Sequence, residues 1–133
     1  MTCTEFNPDL IPADQPIDAS LLQTIKQAKW CGNCLNCLYA YIMLTPTLTD
    51  EQLVEIFGSD LLENTNLAPL LDELAGLSLN PNPNYPRIAR ISKTLQKIQK
   101  ERDHKALMKH YINESIRKWE GDLFEDYFNM SMT

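Results

Sequence analysis

Glycine is scarce in this 133-residue sequence, with four in all, and strand-like alternation of apolar and polar residues is rare. These absences exclude a glycine-rich, turn-and-strand architecture and point to helices. Long apolar runs are missing too. The longest, Cys37 to Leu44, holds eight residues, against the ~20 that a bilayer-spanning helix needs. The first eighteen residues, MTCTEFNPDLIPADQPID, contain no lysine, arginine or apolar core, so they do not read as a secretory signal. The expectation is a cytoplasmic protein without membrane contact, where thiols stay reduced. Phosphate-binding loops, EF-hand loops, HExxH and Gly-x-Ser-x-Gly are absent. The acidic pairs Asp72-Glu73 and Glu125-Asp126 look like ordinary helix-surface carboxylates. With no catalytic constellation in view, an enzyme is not expected.

What is present suits a single domain of ordinary size. A chain of this length hides roughly two-thirds of its unfolded surface on folding and can stand without metal or disulfide. Pro8, Pro12 and Pro16 mark residues 1–18 as an extended N-terminal tail, with Phe6, Leu10 and Ile11 apolar enough to dock. Residues 19–133 read as one helical domain. Asp18 is placed to cap a helix from Ala19 to about Trp30, with Leu21, Leu22, Ile25 and Ala28 as its apolar stripe. Residues 34–44, CLNCLYAYIML, are apolar nearly all round, as a central buried helix would be. Thr49 and Gln52 form a capping box, and Gly58 ends the helix they open. A turn at Asp60 to Glu63, a helix near Leu67 to Leu77 and a connector from Ser78 to Pro86 follow.

From Arg87 the spacing of Ile88, Ile91, Leu95 and Ile98 defines one helical face. Arg102 and Lys105 then stand where apolar residues are due, and the series resumes at Met108, Ile112, Ile116 and Trp119. That slip predicts a bend, a stutter or a break near Arg102–Asp103, with Asp103 able to cap a second helix. Leu123, Phe124, Tyr127 and Phe128 form a last apolar face suited to closing the core. The fold expected is all-α, a compact bundle of five or six helices with an extended proline-rich N-terminal tail.

Cys31, Cys34 and Cys37 are spaced C-x2-C-x2-C, and Cys3 is the fourth cysteine of the chain. Sulfurs at this spacing can surround one soft ion or an iron–sulfur cluster, with Cys3 as candidate fourth ligand. Zinc would accept four sulfurs, or three and a histidine from His104 or His110. Three thiols in a regular helix diverge, so ligation requires a real turn at Gly32-Asn33. Trp30-Cys31-Gly32-Asn33-Cys34 is also similar to the thioredoxin-type Trp-Cys-Gly-x-Cys turn, a resemblance that covers five residues and implies an activated dithiol. Cysteine is equally a small hydrophobe, and simple packing is the bland alternative.

Charge is sharply divided along the chain. Residues 87–118 hold ten of the twelve basic residues and carry +7, while the remainder carries −13. Arg90, Lys93, Lys97 and Lys100 lie opposite the apolar stripe and form an outward basic face. Such a face suits an acidic protein surface. The net charge of −6 and the few aromatics along the stripe oppose nucleic acid, which stands third. These features favour a non-catalytic regulatory or adaptor protein that binds a protein partner, a homodimer being one such form. A zinc- or iron–sulfur-dependent sensor or redox protein is the alternative.

Overall fold

The computed structural model describes residues 6–12, 16–76 and 85–116. Every regular element among them is helical. The elements are α1 (Ala19–Gln27), α2 (Leu35–Leu44), α3 (Asp50–Phe57), α4 (Ala68–Leu74), α5 (Tyr85–Arg102) and α6 (residues 106–116). Short 3-10 turns stand at Pro8–Leu10, Leu61–Glu63 and Thr65–Leu67. The protein is a helical bundle, as its periodicity requires. None of these helices is long and apolar enough to cross a membrane.

The bundle is organised around α2. Every residue from Cys37 to Leu44 is buried, and α3, α4, α5 and the N-terminal 3-10 turn all pack against it. A helix apolar on every side has no face to offer water, so its neighbours must surround it. The neighbours are one-sided: α5 turns Ile91, Leu95 and Ile98 inward, and α4 contributes Leu71 and Leu74.

Local signals set the helix ends. The Asp18 carboxylate accepts from the Leu21 N–H at 2.7 Å and opens α1. That helix closes at Gln27 rather than near Trp30, because Ala28 is extended and the Trp30 indole N–H turns back to the Ile25 carbonyl at 3.0 Å. At α3 the capping box is complete, with Thr49 Oγ1 accepting from Gln52 N and Gln52 Oε1 accepting from Thr49 N. Gly58 ends this helix at φ 84°, a backbone state that glycine enters without a Cβ penalty.

Three differences from expectation have clear causes. The connector predicted to reach Pro86 gives way at Tyr85, because proline is tolerated in the first turn of α5. The break after Arg102 is present, but α6 begins at residue 106, beyond the place where Asp103 would cap it. Its first N–H, from Ala106, is accepted instead by Glu63 Oε1 at 2.6 Å. Finally, the N-terminal segment docks as its apolar residues suggest, but through two of the three. Ile11 is fully buried and Phe6 meets Trp30 at 5.8 Å between ring centroids, whereas Leu10 remains exposed. The apolar face at Leu123, Phe124, Tyr127 and Phe128 lies outside the described residues, as does the Glu125-Asp126 pair.

Candidate metal centre

Between α1 and α2 the chain makes a tight turn. Gly32 takes φ 76°, and a Cβ there would also stand 3.5 Å from the Phe57 carbonyl oxygen. The left-handed backbone state, more than the space, makes glycine the suitable residue. Because the chain reverses here instead of continuing a helix, the three thiols converge. Their sulfurs all lie within 4.8 Å of one another, and Cys31 Sγ is 3.7 Å from Cys37 Sγ. Cys37 is buried, while Cys31 and Cys34 are half-buried. The turn that ligation demanded at Gly32-Asn33 is in place.

Backbone donors point at the sulfurs. Gly32 N–H donates to Cys37 Sγ at 3.3 Å, and Asn33 N–H donates to Cys31 Sγ at 3.4 Å. The Asn33 amide locks the turn by donating to the Cys31 carbonyl at 3.3 Å. Cys34 is the N-cap of α2 and Cys37 lies in its first turn, where the helix dipole favours negative charge. No acidic residue competes for that end of the helix.

The thioredoxin-like reading fares less well. In that motif the first cysteine sits at a helix N-terminus, but here α2 begins at Leu35 and the second cysteine, Cys34, is its cap. Strands to flank the turn are missing among the described residues. Neither His104 nor His110 joins the sulfur cluster: His104 is exposed, and His110 Nε2 bonds Asp72 Oδ1 at 2.7 Å. Cys3 lies outside the described residues.

A second polar cluster was not foreseen as a unit. Asp60 accepts from the Tyr41 hydroxyl at 2.9 Å and from the Leu62 N–H at 3.1 Å, and it also pairs with Lys105. Asp50 pairs with Arg102 at 3.0 Å and with Lys105 at 3.5 Å. Burial alone would lower the Lys105 pKa, but Asp60 and then Asp50 outweigh it and hold it above the ordinary lysine value. Burial likewise would raise Asp50, yet Arg102 and Lys105 bring it below the ordinary carboxylate value. Tyr41 is pushed well above the ordinary phenol value, by burial first and Asp60 second. The signal lay in the phase slip: Arg102 and Lys105 occupy stripe positions because they turn toward Asp50 and Asp60.

The basic face is partly spent inside the molecule. Arg90 donates to the carbonyls of Asp9 and Ile11, and Arg87 pairs with Asp9 at 2.9 Å while its guanidinium lies 4.5 Å over the Tyr39 ring. The Arg87 bond holds the Asp9 carboxyl below its ordinary value. Lys93, Lys97 and Lys100 remain exposed.

Comparison with known proteins gives the chain its relatives. The family described as MurL C-terminal domain matches residues 18–119, a span that takes in all six helices and the cysteine turn. An enzyme named UDP-N-acetyl-α-D-muramoyl-L-alanyl-L-glutamate epimerase, from a Micromonospora species, is 35% identical over 49 residues, which is 37% of this chain and 11% of the enzyme. Its namesake from Salinispora tropica is 33% identical over the same shares. The aligned part thus amounts to about a tenth of these curated relatives. No solved structure matches. These matches overturn the expectation of a non-catalytic regulatory or adaptor protein. Part of the charge partition is also internal to the chain: Arg87, Arg102 and Lys105 pair with its own Asp9, Asp50 and Asp60. The chain belongs to the MurL C-terminal domain family.

Proposed function

We propose that this chain works as the MurL-type C-terminal domain of an epimerase acting on UDP-N-acetyl-α-D-muramoyl-L-alanyl-L-glutamate. The observation that carries this reading is the family match across residues 18–119, supported by two relatives bearing that name. Inverting an amino-acid α-carbon requires a proton to leave one face and another to arrive on the opposite face, so a base and an acid must flank it. The acids Asp50, Asp60 and Asp72 are each held by a basic partner of this chain. Within this reading those three carboxylates brace the domain rather than move the proton. The substrate is an anion through its diphosphate and carboxylates, and the exposed lysines of α5 have the matching sign. A cytoplasmic setting goes with a nucleotide-linked substrate.

The test is made in the organism that supplies the chain. Depleting the protein should leave the nucleotide-linked dipeptide in its L-alanyl-L-glutamyl form, read by chiral separation of alanine and glutamate after hydrolysis. Adding the purified chain back to the depleted extract should restore inversion. An unchanged isomer ratio on depletion would refute the proposal.

A further inference from the structure

We infer that Cys31, Cys34 and Cys37 bind a single zinc ion that pins the start of α2 to the chain on either side of it. The inference stands on the geometry of the turn and is independent of the epimerase reading. In a tetrahedral zinc site with Zn–S bonds of about 2.3 Å, neighbouring sulfurs are separated by about 3.8 Å. Cys31 Sγ and Cys37 Sγ are already 3.7 Å apart, and all three sulfurs fall within 4.8 Å. A multi-iron cluster places each cysteine on a different iron and needs wider spacing, so a mononuclear site fits better. A disulfide needs its sulfurs within about 2.05 Å, far closer than the Cys31–Cys37 pair.

Electrostatics favours the same occupant. Residues 31–86 contain no lysine or arginine, so this stretch of chain supplies no cation of its own to neutralise clustered thiolates. The backbone N–H groups of Gly32 and Asn33 and the start of α2 direct the positive ends of their dipoles toward the sulfurs. Three converging cysteine sulfurs suit a divalent, sulfur-seeking ion, and sulfur-rich tetrahedral donor sets are typical of structural zinc. Simple packing of small hydrophobes would demand neither a left-handed glycine nor N–H groups aimed at two sulfurs.

Location states the role. Gly32 packs on the Phe57 carbonyl at the end of α3, and Trp30 meets Phe57 at a tilt, 5.0 Å between ring centroids, and Phe6 edge-on at 5.8 Å. An ion here fastens the N-terminal segment, the end of α1, the end of α3 and the start of α2 at one point. The large helical core persists without it, so losing the ion should loosen the turn rather than unfold the domain.

Elemental analysis of chain purified under reducing, oxygen-free conditions should find one zinc per molecule. Replacing it with Co2+ should give intense sulfur-to-cobalt charge-transfer bands and the strong visible bands of a tetrahedral ion. Cys34→Ser should lose the bound zinc, and chelation of the wild-type protein should lower its melting midpoint by several degrees while helical circular dichroism at low temperature persists. The cobalt spectrum is read on the wild type, so the assignment does not depend on a variant folding. Metal-free protein that yields only the weak spectrum of hydrated cobalt would overturn it. So would iron with a cluster absorbance, or zinc that stays stoichiometric in both Cys34→Ser and Cys37→Ser.

Discussion

Two polar clusters sit within the apolar frame of this protein, and they solve the problem of buried polarity in opposite ways. Around Asp60 and Lys105, opposite charges meet and each polar group finds its complement inside the chain. At the cysteine turn, three donors of like character converge and receive backbone N–H groups. The first cluster is chemically complete and explains itself as structure. The second gathers three metal-ligating sulfurs at one point, which is what motivates the zinc inference. Burial of polar groups alone does not mark a functional site, whereas convergence of several metal-ligating side chains on one point makes a candidate.

Breaking the completed cluster should have the largest effect. Asp60→Ala leaves Lys105, 9% exposed, with only the more distant Asp50, and removes the acceptor of the Tyr41 hydroxyl. A buried charge deprived of its partner typically costs about 3 kcal/mol or more, and urea denaturation should show a loss of that order. Replacing Asp60 and Lys105 together with apolar residues of similar size should recover much of it. Recovery would confirm that desolvation of the orphaned charge, rather than loss of the pair, is what destabilises.

The cysteine turn should respond less in stability and more in metal affinity. Gly32→Ala forces a Cβ into a left-handed conformation, at about 1–2 kcal/mol. The same change should weaken zinc retention, measured by competition with a chromophoric chelator. If stability falls while retention is unchanged, the turn is structural and the sulfurs do not depend on it. Cys3→Ser sharpens the same comparison: a loss of affinity assigns the fourth donor to the N-terminus, and an unchanged affinity assigns it to water.

The pH dependence of folding should carry the signature of the completed cluster and of the Asp9–Arg87 pair. Asp9 and Asp50 have folded pKa values below the ordinary 3.8, so the stability they add is present above that pH and is lost as pH falls through the lower folded values. Lys105 and Tyr41 are raised above 10.5 and 10.0, so their contributions are full below those values and disappear as pH rises through the folded ones. Chemical denaturation across pH should give a plateau between these limits with a fall on either side. Asp60→Asn should soften the alkaline fall, because it removes an anion facing both Lys105 and Tyr41. An alkaline limb identical in the variant would detach those groups from the effect.

Much of the frame was readable from residue order because its causes are local. The Thr49–Gln52 capping box, the Gly58 stop, the Asp18 cap and the all-apolar run of α2 each act within a few residues and appear as expected. The turn at Gly32-Asn33 was stated as the condition for ligation and is met. What stayed hidden depends on long-range pairing. Arg90 reaches the Ile11 carbonyl across 79 positions, and Lys105 reaches Asp60 across 45. Periodicity places a residue on a face but does not say what lies opposite, so inward cations at 102 and 105 looked like a flaw in the stripe.

Arg90 and Lys97 lie on the same predicted basic face, yet the structure gives them different roles, and this separates them at the smallest scale. Arg90 donates to two backbone carbonyls of the N-terminal segment and lies 5.8 Å from the centre of the Tyr39 ring. Lys97 projects from α5 as an exposed side chain. Arg90→Ala should therefore cost about 1 kcal/mol by leaving those carbonyls without their charged donor. It should also raise amide hydrogen exchange across residues 7–12 while leaving α2 protected. Lys97→Gln should stay within about 0.5 kcal/mol of the parent and leave the exchange pattern unaltered. Equal effects from the two substitutions would mean that the basic face acts as a diffuse field, and the clamp on the N-terminal segment would lose its physical basis.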